Sequence, residues 1–327
     1  MSPIFTTFVQ SYNETKGMSS PLPHSIRQPL YNFWGIALLL LLIMIFQIVG
    51  AFVSQLLLTW AYNIDADTYE SLTRNPDFSA LSVSLGRWSN FLQFIIYMGI
   101  PALLMTKVNG KKTWDITGRT APNWRGKNFS LSVIVGITSI PVVAVMTQIM
   151  RSTQPQGQVG KVLQELDAAR TVLFENMLHM DSPLELSWVF VLLAVLPAFF
   201  EEYLFRGIIL GIGKKEFQKR WVSVVFQALV FALLHFSYFE LPGIFFMGFV
   251  FGLIALRNGH IWFGVVAHMV FNGTTVAVQY FMKNASQPEY DKIDQLIANF
   301  TIATPAAILL GMALYQLTRK SNNHETQ

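Results

Sequence analysis

The chain has 327 residues, 52% of them hydrophobic and 13% charged, with a mean hydropathy of +0.42, whereas an ordinary soluble domain is about 25% charged. That composition excludes a soluble globular protein and predicts an integral membrane protein embedded in a lipid bilayer. The absence of cysteine excludes disulfides, thiolate metal sites and a cysteine nucleophile. The isoelectric point near 9.2 arises from basic residues sorted among connections rather than from a nucleic-acid-binding block, so no nucleic-acid partner is expected.

Residues 1–30 form a polar N-terminal segment. Charge-poor runs then fall at about 32–60, 88–106, 128–150, 186–210, 221–239, 241–256, 261–282 and 299–318, each near the length that crosses about 30 Å of hydrocarbon as helix. They predict an all-α membrane protein, a bundle of eight transmembrane helices. The first run is too long for a signal-peptide core and is expected to remain as an anchor. With these spans, sixteen Lys and Arg residues fall on one side and seven on the other, which places both termini in the cytoplasm.

Four organisational regions follow: the polar segment 1–30, N-terminal membrane helices over 31–184, a core carrying the chemistry over 185–282, and a last span with a cytoplasmic tail over 283–327. Val159 to Met180 has apolar residues at mostly helical spacing among charges, predicting an extracytoplasmic amphipathic helix that either caps the bundle or anchors in the interface. Pro101, Pro141, Pro197 and Pro305 lie inside apolar runs, where each removes a backbone donor. Pro197 frees the carbonyl of Leu193 shortly before Glu201. Gly248-Phe249-Val250-Phe251-Gly252 presents a small-xxx-small face suited to close helix packing.

Ionisable groups inside apolar runs need a reason, because a charge near the bilayer centre costs roughly 2.5 to 3.5 kcal/mol on insertion scales. Glu201-Glu202-Tyr203-Leu204-Phe205-Arg206 sits on the end of one such run. Glu202 and Arg206, four apart, share a helix face and can pair. Glu201 is turned about 100° away and is expected to meet another helix. His235 and His268 are lone histidines in later runs, with Asn272 one turn beyond the second. Read singly, these are an interfacial charge cluster, a satisfied core histidine and a polar clamp. Read together, one carboxylate, two imidazoles and one amide on separate spans form a hydrolytic set: Glu201 as base, His235 holding the same water, His268 and Asn272 as oxyanion donors. Helix rise puts Glu201 and His268 at matching depth, but a helix starting at Trp221 leaves His235 over about 10 Å too far out. Either that helix extends back through Lys214 to Arg220, or tilt and bilayer thinning close the gap.

The motifs Glu201-Glu202-x-x-x-Arg206, Phe231-x-x-x-His235 and His268-x-x-x-Asn272, in this order on successive apolar segments, resemble those of the CAAX-protease and bacteriocin-processing family of intramembrane proteases. That family includes the type II CAAX prenyl endopeptidases. The resemblance covers roughly residues 185–280. It implies an eight-helix fold with a site opening to the cytoplasm, a membrane-associated peptide or protein substrate, and the same four catalytic residues, with Glu202 and Arg206 supporting Glu201. The expected location is a bacterial cytoplasmic membrane. Two histidines and a glutamate also make a zinc ligand set, which here would be Glu201, His235 and His268. No His-Glu-x-x-His helix occurs, so no cofactor is expected. Two alternatives belong to other classes: a non-enzymatic immunity or partner-binding membrane protein, and a proton-coupled transporter, against which stands the lack of an inverted repeat.

Overall fold

A computed structural model describes residues 30–118 and 126–319. The polar segment 1–29, part of the basic connection (119–125) and the tail 320–327 lie outside the described residues. Every regular element among the described residues is helical. In chain order these are α1 (Phe33–Tyr62), α2 (Ala66–Arg74), α3 (Ala80–Val108), α4 (Thr113–Thr117), α5 (Lys127–Ser152), α6 (Gly157–Leu178), α7 (Pro183–Glu216), α8 (Arg220–Leu233), α9 (Leu241–Asn258), α10 (Trp262–Met282), α11 (Gln287–Ile297) and α12 (Phe300–Thr318).

Each of the eight apolar runs carries helix, and among the described residues six helices are long and apolar enough to cross a membrane: α1, α3, α5, α7, α9 and α12. The other two depart for different reasons. Helix α10 has the length, at 21 residues, but His268, Asn272, Thr274, Thr275 and Gln279 dilute its apolar character. Helix α8 has 14 residues, about 21 Å at the usual rise. It starts at Arg220 after a break at Phe217–Lys219, so it does not continue back through Lys214. It also ends at Leu233, not at residue 239: the Leu234 and His235 amides bond back to Val230 and Ala232, and Phe236 follows with φ +50°, a left-handed turn that closes the helix. His235 therefore lies in a turn just past a short helix.

Helix α7 is the axis of the fold. Ser182 caps it by accepting from the Glu185 amide, with Pro183 at the first turn, and its 34 residues span about 51 Å. Residues 201–210 are all buried, the mark of a helix enclosed on every side. Leu204, Phe205 and Ile208 share one core with Ile36 and Leu39 of α1, Met98 and Met105 of α3 and Phe231 of α8. The acidic motif thus lies inside a continuous helix and not at a helix end.

Two of the internal prolines are preceded by a widened turn. Ile95–Gly99 before Pro101 and Val191–Val195 before Pro197 are π-helical, a way of absorbing a ring that cannot donate to the carbonyl four residues back. Pro141 and Pro305 sit in regular α-helix. Helix α6 covers the segment expected to be amphipathic. Its C-terminal end is fixed to α3 by buried Arg87, whose Nε and Nη2 donate to the Met177 and His179 carbonyls at 3.0 and 2.6 Å and whose Nη1 pairs with Glu185 at 3.0 Å. Val159, Val162 and Leu166 stay exposed. It is a cap at one end and an apolar-faced surface helix at the other.

Candidate active site

Glu201, Glu202 and Arg206 come from the enclosed stretch of α7, His268 from the middle of α10, and all four are buried. The His268 ring stands between the two carboxylates. Its Nδ1 lies 3.1 Å from Glu202 Oε1 and its Nε2 lies 3.8 Å from Glu201 Oε2. Glu201 meets a helix other than its own, α10, and Glu202 reaches the same helix, because one imidazole presents nitrogens on opposite edges. Glu202 accepts from Nδ1, so Nε2 is the nitrogen turned to Glu201.

Arg206 Nη1 approaches Glu202 Oε1 at 2.9 Å. The approach is ionic rather than an aligned hydrogen bond, since neither Nη1 nor Nε has a bonded acceptor. Its Nη2 donates to the Gly248 carbonyl at 3.3 Å, and its guanidinium lies 4.4 Å from the Phe231 ring centre and 5.3 Å from that of Phe251. Two aromatic faces and one carboxylate hold this cation away from water. Glu202 and Arg206 therefore hold His268 at least as directly as they support Glu201.

His235 joins through Phe231. The Phe231 carbonyl sits 2.7 Å from His235 Nδ1, so that nitrogen carries the proton and Nε2 is left as an acceptor. The Phe231 ring also packs edge-on against the rings of His235 at 4.6 Å and His268 at 6.4 Å. No ion pair or hydrogen bond joins His235 to either glutamate among the described residues. Asn272 Nδ2 donates to the Leu193 carbonyl at 3.2 Å, the very acceptor that Pro197 leaves without its helical donor. One amide hydrogen is thereby spent and one remains.

Sequence reasoning missed the parts that make this packing close. Phe251 stacks on His268 with centroids 5.0 Å apart. Fully buried Gln227 donates to the Gly248 carbonyl at 2.7 Å. Gly248 and Gly252 do pack α9 closely, and the neighbour is α8: a Cβ at Gly248 would lie 3.0 Å from the Ala228 backbone, and one at Gly252 2.3 Å from Gln227 Nε2. Gly264, one turn before His268, sits against Glu202: a Cβ there would fall 2.8 Å from Glu202 Oε2, so that carboxylate would have to shift. Gln227 carried a signal, a polar residue within an apolar run. Gly264 carried only its four-residue spacing from His268.

Among the described residues no group of three or more His, Cys, Asp or Glu is placed to hold a metal ion.

The fold and site together define an all-helical membrane protein with a buried carboxylate–imidazole–guanidinium cluster at the centre of its bundle. Residues 183–274 match the family model described as Rce1-like, type II CAAX prenyl endopeptidase Rce1-like, so this segment of the chain is similar to that family. All of the motif residues lie within the matched segment. Comparison with curated proteins gave no match, and neither did comparison with solved structures.

Proposed function

We propose that the chain is an intramembrane endopeptidase that hydrolyses peptide bonds of membrane-associated proteins, with eight membrane segments and both termini in the cytoplasm. The observation that carries this reading is the pair of adjacent carboxylates converging on the two nitrogens of one buried imidazole, inside the segment that matches a hydrolase family. In this reading Glu201 takes a proton from water while the unprotonated Nε2 of His235 orients it. Asn272 offers its remaining amide hydrogen to the oxyanion. His268 offers Nε2–H when the ring carries both protons, a ring that would then sit between the charges of Glu202 and Glu201. Glu202 and Arg206 fix that ring's orientation. No step runs through a metal.

Two measurements test the assignment. Membranes bearing the parent chain should contain new peptide termini that are missing with Glu201→Gln at equal expression, and identical profiles would refute it. The cleavage should also survive dialysis against a strong chelator, whereas its loss together with one equivalent of released zinc would overturn the metal-free mechanism.

A further inference from the structure

A second polar region lies away from α10. Between α1, α2, α3 and α6 there is a cavity of about 520 Å³, inside the range of roughly 300 to 1,000 Å³ typical of ligand sites. Gln47, Gln55, Asn90, Gln93 and Asn176 contribute five carboxamides to its wall, and its rim carries Glu70 and Arg74, which neutralise each other in an ion pair at 2.9 Å.

The depth of these groups is the informative part. Helix rise puts Gln93 about 20 Å and Tyr97 about 25 Å from the start of α3, and Gln47 about 22 Å from the end of α1, all measured from the face that carries α2 and α6. Gln47 and Gln93 meet there at 3.3 Å. Amides at that depth are costly against lipid and are found where they line a water-filled space. Tyr97 also lines the cavity and, by helix rise, lies at its inner end. Glu201 itself lies about 27 Å along α7 from the same face. The two helices touch there, with the Phe200 ring against Gly99, where a Cβ would be 3.2 Å from Phe200 Cε1, and with Phe94 packed edge-on against the same ring at 6.1 Å.

We infer that this cavity is an aqueous inlet that brings the hydrolytic water to Glu201 from the α2 and α6 face, by way of Gln93 and Tyr97. The inference rests on the hydrolase reading. Each turnover consumes one water: its oxygen bonds to the peptide carbonyl carbon, its proton passes to Glu201 and on to the departing nitrogen, and the C–N bond breaks. A peptide occupying the site from the other face would obstruct water from that side. A neutral, amide-lined wall suits water and offers no net charge to retain an ion.

The lack of native cysteine makes a direct test available. Thr73→Cys at the rim reports which membrane preparation exposes the α2 and α6 face. In that preparation a charged, membrane-impermeant methanethiosulfonate should modify Asn90→Cys and Gln93→Cys, and at least tenfold faster than Ile48→Cys, which sits on the exposed flank of α1. Modification of Asn90→Cys and Gln93→Cys no faster than of Ile48→Cys would overturn the inlet. The folded Gln93→Cys protein then serves as its own control: the adduct should slow formation of the new peptide termini at least tenfold, with recovery after reduction. Full modification with unchanged cleavage would discard the route while leaving the protease reading intact. If the unmodified parent itself cleaves nothing, the hydrolase reading falls, and the water has no reaction to serve whatever the labelling pattern.

Discussion

At the scale of single residues, the site depends on contacts that leave no slack around Glu202. Its Oε1 serves both Arg206 and His268, while its Oε2 is buried without a bonded partner beside the one position, Gly264, where any side chain would intrude. Gly264→Ala should therefore displace the carboxylate or push α10 away, and destabilise the protein by about 1 to 3 kcal/mol. The readout is a lowered melting temperature in detergent together with loss of the parent-specific termini. Arg206→Met is expected to be worse, because it leaves the buried carboxylate without its cation, a change that costs about 3 to 5 kcal/mol. An Arg206→Met variant as stable as the parent would show that Glu202 is not ionised in the fold.

Among elements, the link between Pro197 and Asn272 can be measured as an energy. The proline removes the amide that would have bonded the Leu193 carbonyl, and Asn272 supplies a substitute from α10. Asn272→Leu in the parent should then cost about 1 to 3 kcal/mol for an unmet buried acceptor. In a Pro197→Ala background the helix can make that bond itself, so the same change should cost clearly less. The difference is a coupling energy of about 0.5 kcal/mol or more, and strict additivity would deny the link. The sequence announced that the Leu193 carbonyl was free, since that follows from proline alone. It did not announce its partner, because a hydrogen bond across 79 residues depends on how two helices pack. For the same reason the four polar residues were legible as a set while their pairing was not. Residue spacing fixes a direction around one axis, and the ring of His268 crosses between axes. The stop at Leu233 was hidden too, as Phe236 in a left-handed turn breaks an apolar pattern that runs on unchanged. The connection between α9 and α10 gives a pH test. Burial holds His260 below the ordinary imidazole range, near 6.5 when unfolded, and its Nδ1 has no bonded partner. The unfolded chain then binds the proton more readily, so stability is retained above about pH 6.5 and lost as pH falls toward the folded value. Denaturation followed from about pH 7.5 to 5 should show this slope, and His260→Phe should flatten it.

On the scale of the whole molecule, the apolar pattern made the helical membrane architecture legible, because lipid forces every backbone group in a span to find its partner within the helix or a neighbour. What the pattern cannot convey is which polar contacts join the helices once they are inserted, when burial against lipid no longer distinguishes one arrangement from another. Arg87 is the clearest case. By composition it belongs to a short extramembrane connection, yet it is buried and holds two consecutive stretches of chain, the end of α6 and the start of α7, through two backbone carbonyls and Glu185. Since α7 carries the carboxylates, the orientation of the site is tied to this one guanidinium. Lysine offers one ammonium in place of a planar fork and cannot reach all three acceptors in the same plane. Arg87→Lys should therefore release the end of α6, leaving the Met177 and His179 carbonyls unmet, at about 1 to 3 kcal/mol per lost buried partner. Limited proteolysis should then cut between α6 and α7 at least tenfold faster than in the parent, with a parallel loss of cleavage activity. Unchanged protection would mean that the aromatic packing of Trp88 and Phe91 of α3 against Trp188 of α7, with centroids at 5.0 and 5.4 Å, holds the two helices together without the arginine.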